Sequence, residues 1–598
     1  MKTVRIGGAS SYAMDSTASV AQLLRAEPSP HYLMFDFMSE GNIGAMAKAR
    51  AADPAKGGYL TDFVTVHIAP NLHDIASKGV KFLANAGGFN PKACAEAIEA
   101  LFKEHNVDLK VAYIAGDDLL PDIEKIRAAA PKEMFSGAPM PAQLDSINAY
   151  LGAFPIARAL AEGADIVVTG RCADSSLGLG ALVHEFGWKA DDWDRLAAGT
   201  LVGHLLECGC QLTGGTFTDW EDVPGWEDVG FPIAEISEDG SCVISKPANT
   251  GGLISVGTVT EQTFYEVSDP RAYIVPDVVC DFSNLKIEQV GENLVSVSNA
   301  RGYPATSTYK CVASYNIGWR ATYSQVVLGI NATAKAKRQG EALIQRGKNL
   351  LRGLNIGEFS RTDVDMIGSE SQYGPRATAN SVREVFMRAS VDHVEMSAVQ
   401  MFLREALAST SAMAPGSTAT ISGNIAPLSK LFLFLLPKSQ VHASVGIGGK
   451  IIDVPVNEGQ PFDSASLKTP PVPTPAPFAQ DAATTVPLID LAWGRSGEKG
   501  NLFNVAVIAR KPEYLPYIRA ALTADAVGNW FAHLYPADAS PKVDIFDMPG
   551  PHAINYVVRD SMDGGILVSP RVDHAAKGMA QQLLEFPVTI PKETVLAR

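Results

Sequence analysis

The chain is poor in cysteine and has no long apolar run. Seven cysteines, an odd number scattered through 598 residues, do not make a disulfide framework. The apolar stretch at residues 431–436 is far too short to cross a bilayer. A charged-then-apolar leader is missing from residues 1–19, so the cytoplasm is the expected compartment and no membrane partner is expected. Basic residues are in deficit. The 50 Lys and Arg against 65 Asp and Glu give a net charge of −15, which argues against nucleic-acid binding by phosphate neutralisation. A local cationic cluster can still hold a small anion against that field.

Several catalytic signatures are also missing. No G-x-x-x-x-G-K-[ST], G-x-S-x-G or H-E-x-x-H segment occurs. Gly7 and Gly8 follow an apolar run, but Ser10, Ser11 and Tyr12 stand where a dinucleotide fingerprint needs glycines, and Asp36 lies too far on. His204, Glu207, Cys208 and Cys210 form an incomplete ligand set, which favours a buried His–Glu pair over a metal. Magnesium on acidic loops stays open. Cys172, beside Arg171 and ahead of a helix, and Ser175 are alternative nucleophiles.

What is present is a repeated pattern. Residues 166–168 are a short apolar run that stops at Thr169 and Gly170, presents Arg171, Asp174, Ser175 and Ser176, and continues as a helical pattern. Four other apolar runs end similarly: 4–6 before Gly7, Gly8 and Ser10; 32–37 around Asp36; 80–83 before Asn85, Gly87 and Gly88; and 109–115 before Gly116, Asp117 and Asp118. Strands alternating with helices argue for parallel strands, whose carboxyl ends share one edge and form a binding crevice. The reading is a doubly wound, mostly parallel α/β sheet whose rim gathers Asp15, Asp36, Asn85, Asp117, Asp118, Arg171 and Asp174. Helix capping by Asp174, Ser175 or the Asp117–Asp118 pair is the competing reading.

Past residue 217 short strand-like runs predominate (242–245, 253–259, 272–275, 294–297, 324–330), then a helical stretch at 334–351. This reads as an α/β part, 1–216, extended by an α+β part, 217–462. A Pro-rich linker, 463–483, separates them from a small α+β domain of ferredoxin-like type, 484–598. In that domain, 493–501 reads as a Gly-rich cationic loop between strands 488–492 and 503–508, with further strands at 542–546, 553–558 and 566–570. Its anion-holding residues are Arg495 and Lys499.

The tail segment RSGEKGNxxN at 495–504, with PGPHAIN at 549–555, resembles the ferredoxin-fold tail of the acyclic terpene utilisation family. IGGAS at 6–10, NAGG at 85–88, GDD at 116–118, TGRCAD at 169–174, HLLECG at 204–209, TGG at 213–215 and KPANTGG at 246–252 are similar to that family's main domain. The tail departs from the family pattern at Glu498 and Asn501, where Asp is usual. The resemblance implies a catabolic protein linked to acyclic terpenoids and branched acyl-CoA thioesters; it supplies no catalytic residues.

Acid–base chemistry beside a thioester carbonyl needs a base, an acid and a polariser. The candidates are Asp174 or Asp118 as base, Arg171 as anion holder and Asn85 as orienting amide. Gly8, Ser10, Asp36, Gly87, Asp117, Ser175, Arg495, Lys499 and Asn504 are the expected substrate-binding residues. A lyase or hydratase is the leading expectation. A non-enzymatic acyl-CoA scaffold for a carboxylase or dehydrogenase, and a hydrolase, are the alternatives. The expected partner is a small acyl-CoA or carboxylate, with coenzyme A as part of the substrate and no separate cofactor. A chain of this size is also expected to form a homo-oligomer.

Overall fold

Continuous apolar runs bounded by glycine and polar residues become parallel strands buried on both faces. The computed structural model describes residues 2–379, 381–408, 411–594 and 596. Strands β1 (Thr3–Ser10), β2 (Tyr32–Phe35), β3 (Lys81–Ala84), β4 (Val111–Ala115) and, after β5 (Ser146–Ala149), β6 (Ile166–Thr169) follow in the chain. They pair in the order β1-β2-β3-β6-β4, all parallel. Alternate side chains enter two cores. Met34, Leu83 and Val167 pack with the helices Ser176–Phe186 and Trp193–Leu206, while Phe35, Phe82 and Val168 pack with Ser19–Leu24, Leu72–Lys78 and Pro91–Glu104.

The complete sheet is mixed rather than mostly parallel. β7 (Ile233–Ser237) and β8 (Cys242–Ser245) add antiparallel beside β1. Next in the chain come β9 (Tyr273–Val275), β10 (Val278–Asp281), β11 (Lys286–Gly291), β12 (Leu294–Ser298) and β13 (Arg301–Tyr303). β12 and β11 extend the sheet past β8, whereas β9, β10 and β13 form a separate three-stranded sheet. The remainder is a second antiparallel sheet, built from β14 (Thr308–Leu328), β15 (Arg361–Ile367), β16 (Glu384–His393) and β17 (Ser417–Pro437) in the order β15-β16-β14-β17. β5 pairs with the first half of β14. β18 (Ser444–Ile447) and β19 (Lys450–Asp453) then return to the first sheet beside β4. Six antiparallel pairings thus flank four parallel ones, because the chain beyond residue 217 supplies both edges.

The expected strand at 253–259 is instead the helix Val256–Thr263. Ser255 and Thr258 form a reciprocal capping box there, which overrides the β-branched run. Residues 454–479 cross the surface with a single 3-10 turn, Ser464–Ser466.

The tail carries β20 (Ala483–Pro487), β21 (Ala492–Lys499), β22 (Leu502–Ala509), β23 (Lys542–Met548), β24 (Ala553–Arg559) and β25 (Pro587–Pro591). Its main sheet is antiparallel in the order β21-β22-β24-β23, and β20 pairs with β25. The segment expected as a cationic loop is strand β21 itself, and the strand expected at 488–492 is largely a 3-10 turn, Leu488–Asp490. Residues 566–570 form turns rather than a strand. Glycine marks close packing in β21: a Cβ at Gly497 would lie 2.5 Å from the Tyr265 ring.

The tail sheet is buried on both faces. Phe503, Val505, Val507, Ile554 and Tyr556 pack into the tail's own core, while Trp493, Ala506, Ile508 and Ala553 join the core of the main body. Polar pegs fix the docking. Asn504 Nδ2 donates to Phe264 O at 2.8 Å, Asn555 Nδ2 donates to Val267 O at 2.8 Å, and the Arg510 guanidinium grips Asp219 with two bonds of 2.6 Å.

Candidate active site at the strand ends

Five parallel strands end in polar side chains that the fold turns inward. Asn85, just past β3, donates through Nδ2 to Asp36 Oδ1 at 2.6 Å and accepts Phe37 N–H at 2.6 Å through Oδ1. Past β6, Arg171 is almost wholly buried and meets Asp174 Oδ1 at 2.5 Å through Nη1. The same nitrogen donates to Cys172 O at 2.8 Å. Arg171 N–H donates at 2.8 Å to Asp117 Oδ2, which also receives Asn148 Nδ2 at 2.9 Å. Asp117 therefore holds the loop from below. Ser10 donates at 3.3 Å to the Asp36 carbonyl at the end of β1.

Residues that sequence reasoning passed over complete the cluster. The Tyr150 ring is flanked by the Arg171 guanidinium at 4.1 Å and by Lys310 Nζ at 4.6 Å. Tyr150 donates its hydroxyl to Glu40 Oε1 at 3.2 Å, and Lys310 lies 3.4 Å from the same oxygen. Burial works against a charge on Glu40, but Lys310, Lys499 and Arg171 outweigh it and hold its carboxyl at about 2. His204 and Glu207 form the buried pair expected of them, Nδ1 to Oε1 at 2.9 Å, with Nε2 3.1 Å from Thr263 O. Glu207 Oε2 and Arg171 Nε are buried without a hydrogen-bond partner.

The tail inserts its own charges into this cluster. Lys499, at the end of β21, pairs with Glu266 at 2.5 Å. Burial opposes its charge, yet Glu266, Glu40, Glu498 and Asp174 together hold its pKa well above the usual lysine value. Glu498 is buried and pushed up to about 8, by burial first and then by Glu40 and Glu266. Burial, then Asp174 and Glu207, push the Asp36 carboxyl well above its usual value, against the smaller opposing effects of Arg171 and Asn85. Carboxyls set in unlike surroundings beside fixed cations are the arrangement that divides acid from base.

Other expected residues lie elsewhere or serve the scaffold. Asp118 is exposed and accepts Leu120 N–H at 3.1 Å, so it caps the turn that follows. A Cβ at Gly8 would collide with Leu206 O, and one at Gly87 would lie 2.6 Å from Thr169 O; both glycines permit close backbone approach. Ser175 is buried at the start of its helix, where its backbone abuts Gly203. Arg495 bonds Thr216 and Gln211 and lies 4.5 Å from the Tyr265 ring, which fixes it in the docking interface together with Asn504. The Cys172 thiol is buried and pushed up to about 12, because desolvation outweighs Thr169 and Arg171. Among the described residues no group of three or more His, Cys, Asp or Glu is arranged to hold a metal ion.

Two cavities open against the cluster. One, of about 440 Å3, is lined by Tyr150, Lys310, Ala173 and mainly apolar side chains. The other, of about 220 Å3, reaches Glu40 between the main body and the tail at Gly500 and Asn501.

Raised buried carboxyls carry a consequence for pH. Burial pushes Asp117 from 3.8 to about 7 and Glu261 to about 8, as it does Glu498. Each binds its proton more tightly folded than unfolded, so stability falls as pH rises from about 4 to about 8 and is then level. Glu40 acts in the opposite sense: the stability it contributes is lost as pH falls from 4.5 towards 2. Unfolding temperatures measured across this range should decline towards alkaline pH, and Asp117→Asn should flatten the decline below pH 7.

These features define a class: a mixed α/β body with charged groups gathered at its strand ends, closed by a docked α+β tail. A family model described as acyclic terpene utilisation family protein AtuA matches residues 4–447, and one described as AtuA ferredoxin-like domain matches residues 486–589. The chain belongs to the acyclic terpene utilisation family, which implies a role in acyclic terpene utilisation. No curated protein matches it. No helix among the described residues is long and apolar enough to cross a membrane.

Proposed function

We propose that the protein is a catabolic enzyme of acyclic terpenoid or branched-chain acyl-CoA degradation, a lyase or hydratase working by acid–base chemistry next to a thioester carbonyl. The observation that supports this reading is the gathering of Asp36, Arg171, Asp174 and Lys499 in one partly enclosed charge cluster. Asp174 is the base, a quarter exposed beside its cation. Asp36, oriented by Asn85, is the acid. Arg171 and Lys499 stabilise the negative charge that builds on the thioester oxygen as a proton leaves the neighbouring carbon. Coenzyme A enters as part of the substrate, and the protein acts in the cytoplasm as a homo-oligomer.

Incubation with a panel of branched and unsaturated acyl-CoAs, followed by mass analysis, tests the reading. Gain or loss of water, or carbon-chain cleavage, supports it. Binding without any mass change favours a scaffold that serves a carboxylase or dehydrogenase. A hydrolase using Cys172 is disfavoured by its buried, high-pKa thiol. Cys172→Ser should keep activity within about threefold of the unmodified protein, and iodoacetamide should leave the folded enzyme active.

A further inference from the structure

Large apolar side chains that stay exposed are informative when they converge on one cavity. Met134, Ile274 and Leu435 are 40%, 53% and 49% exposed, and all three line the cavity of about 440 Å3 beside the charge cluster. They come from three distant parts of the chain. Val275 and Phe462 continue the apolar wall, and the volume lies within the range of small-molecule sites. Polarity changes at the inner end. There Lys310 and the Tyr150 ring line the cavity, with the Arg171 guanidinium stacked on that ring. Ala173, between Arg171 and Asp174 in sequence, also lines it, so the cavity meets the catalytic loop.

We infer that this cavity seats an aliphatic acyl chain, with its carboxyl or thioester end at Lys310 and its tail towards Ile274 and Leu435. The occupant follows from complementarity: a mainly apolar cavity with one lysine in its wall suits a chain that is apolar except for one anionic or carbonyl end. The orientation of the thioester rests on the function proposed above, whereas the seat of the chain does not. Chain length is then measured by the distance from Lys310 to the mouth, and Ile274 and Leu435 set the longest chain accommodated.

The test is calorimetric titration of the full chain with straight carboxylates from butanoate to dodecanoate, and with 3,7-dimethyloctanoate. Affinity should rise about fourfold per methylene until the cavity is filled, then level off. Ile274→Trp, at an exposed site outside the charge cluster, should move the plateau to shorter chains. Leu435→Asp should weaken dodecanoate tenfold or more. Affinity independent of chain length, or unchanged in both variants, overturns the assignment, as does failure of any of these carboxylates to bind. If the chain-length slope appears but no acyl-CoA is ever converted, the cavity assignment stands and the proposed chemistry fails.

Discussion

Replacing Arg171 with methionine is expected to remove about 3–5 kcal/mol of folding stability and to abolish turnover. Methionine fills much of the space but leaves Asp174 without the 2.5 Å partner that neutralises it, while Asp117 keeps its bonds from the residue-171 backbone N–H and from Asn148. The stacking on Tyr150 is lost as well. A buried ion pair adds little over an apolar pair, whereas a half-broken one is costly. Arg171→Met combined with Asp174→Leu should therefore recover much of the stability and none of the activity. Chemical denaturation of the two single variants and the double variant gives the coupling directly. Equal losses that simply add would mean that the two side chains do not act as a pair.

Lys499→Met is expected to lower kcat/KM by about 10²–10³, the loss typical of removing one preorganised electrostatic donor. The lysine comes from the tail, so the result also tests whether the tail completes the site. Docking does not depend on it, because Trp493, Asn504, Asn555 and Arg510 hold the interface independently. The tail should stay bound, as resistance of residues 454–479 to limited proteolysis would report. A loss confined to KM would place Lys499 in ground-state binding alone.

The parallel strands were legible because each is an apolar run stopped by Gly, Asn or Asp, and Asp36, Asn85, Arg171 and Asp174 could be placed at one rim from that pattern. Glu40, Tyr150 and Lys310 could not. Each is a single polar residue in an ordinary loop or strand, and only the pairing of β14 with β5 brings Lys310 to Tyr150. β5 itself, Ser-Ile-Asn-Ala, is too short and polar to read as a strand. β21 was misread for the opposite reason. Its glycines and charges have the composition of a loop, but they alternate between two packed surfaces, so closeness of packing dictates glycine where an anion-holding loop was inferred. Arg495 and Asn504 were expected at the ligand because they belong to the tail's polar motif; the same polarity serves docking. Asp118 shows the limit of adjacency, since its neighbour Asp117 is buried and it is not.

Deuterium wash-in from D2O measures the central claim most directly. With a branched acyl-CoA bound, the unmodified protein should place solvent deuterium on the carbon next to the thioester, and Asp174→Asn should lose that exchange while still binding the ligand. A tightly bound acyl-CoA that takes up no deuterium, in the substrate or in any product, would contradict the account.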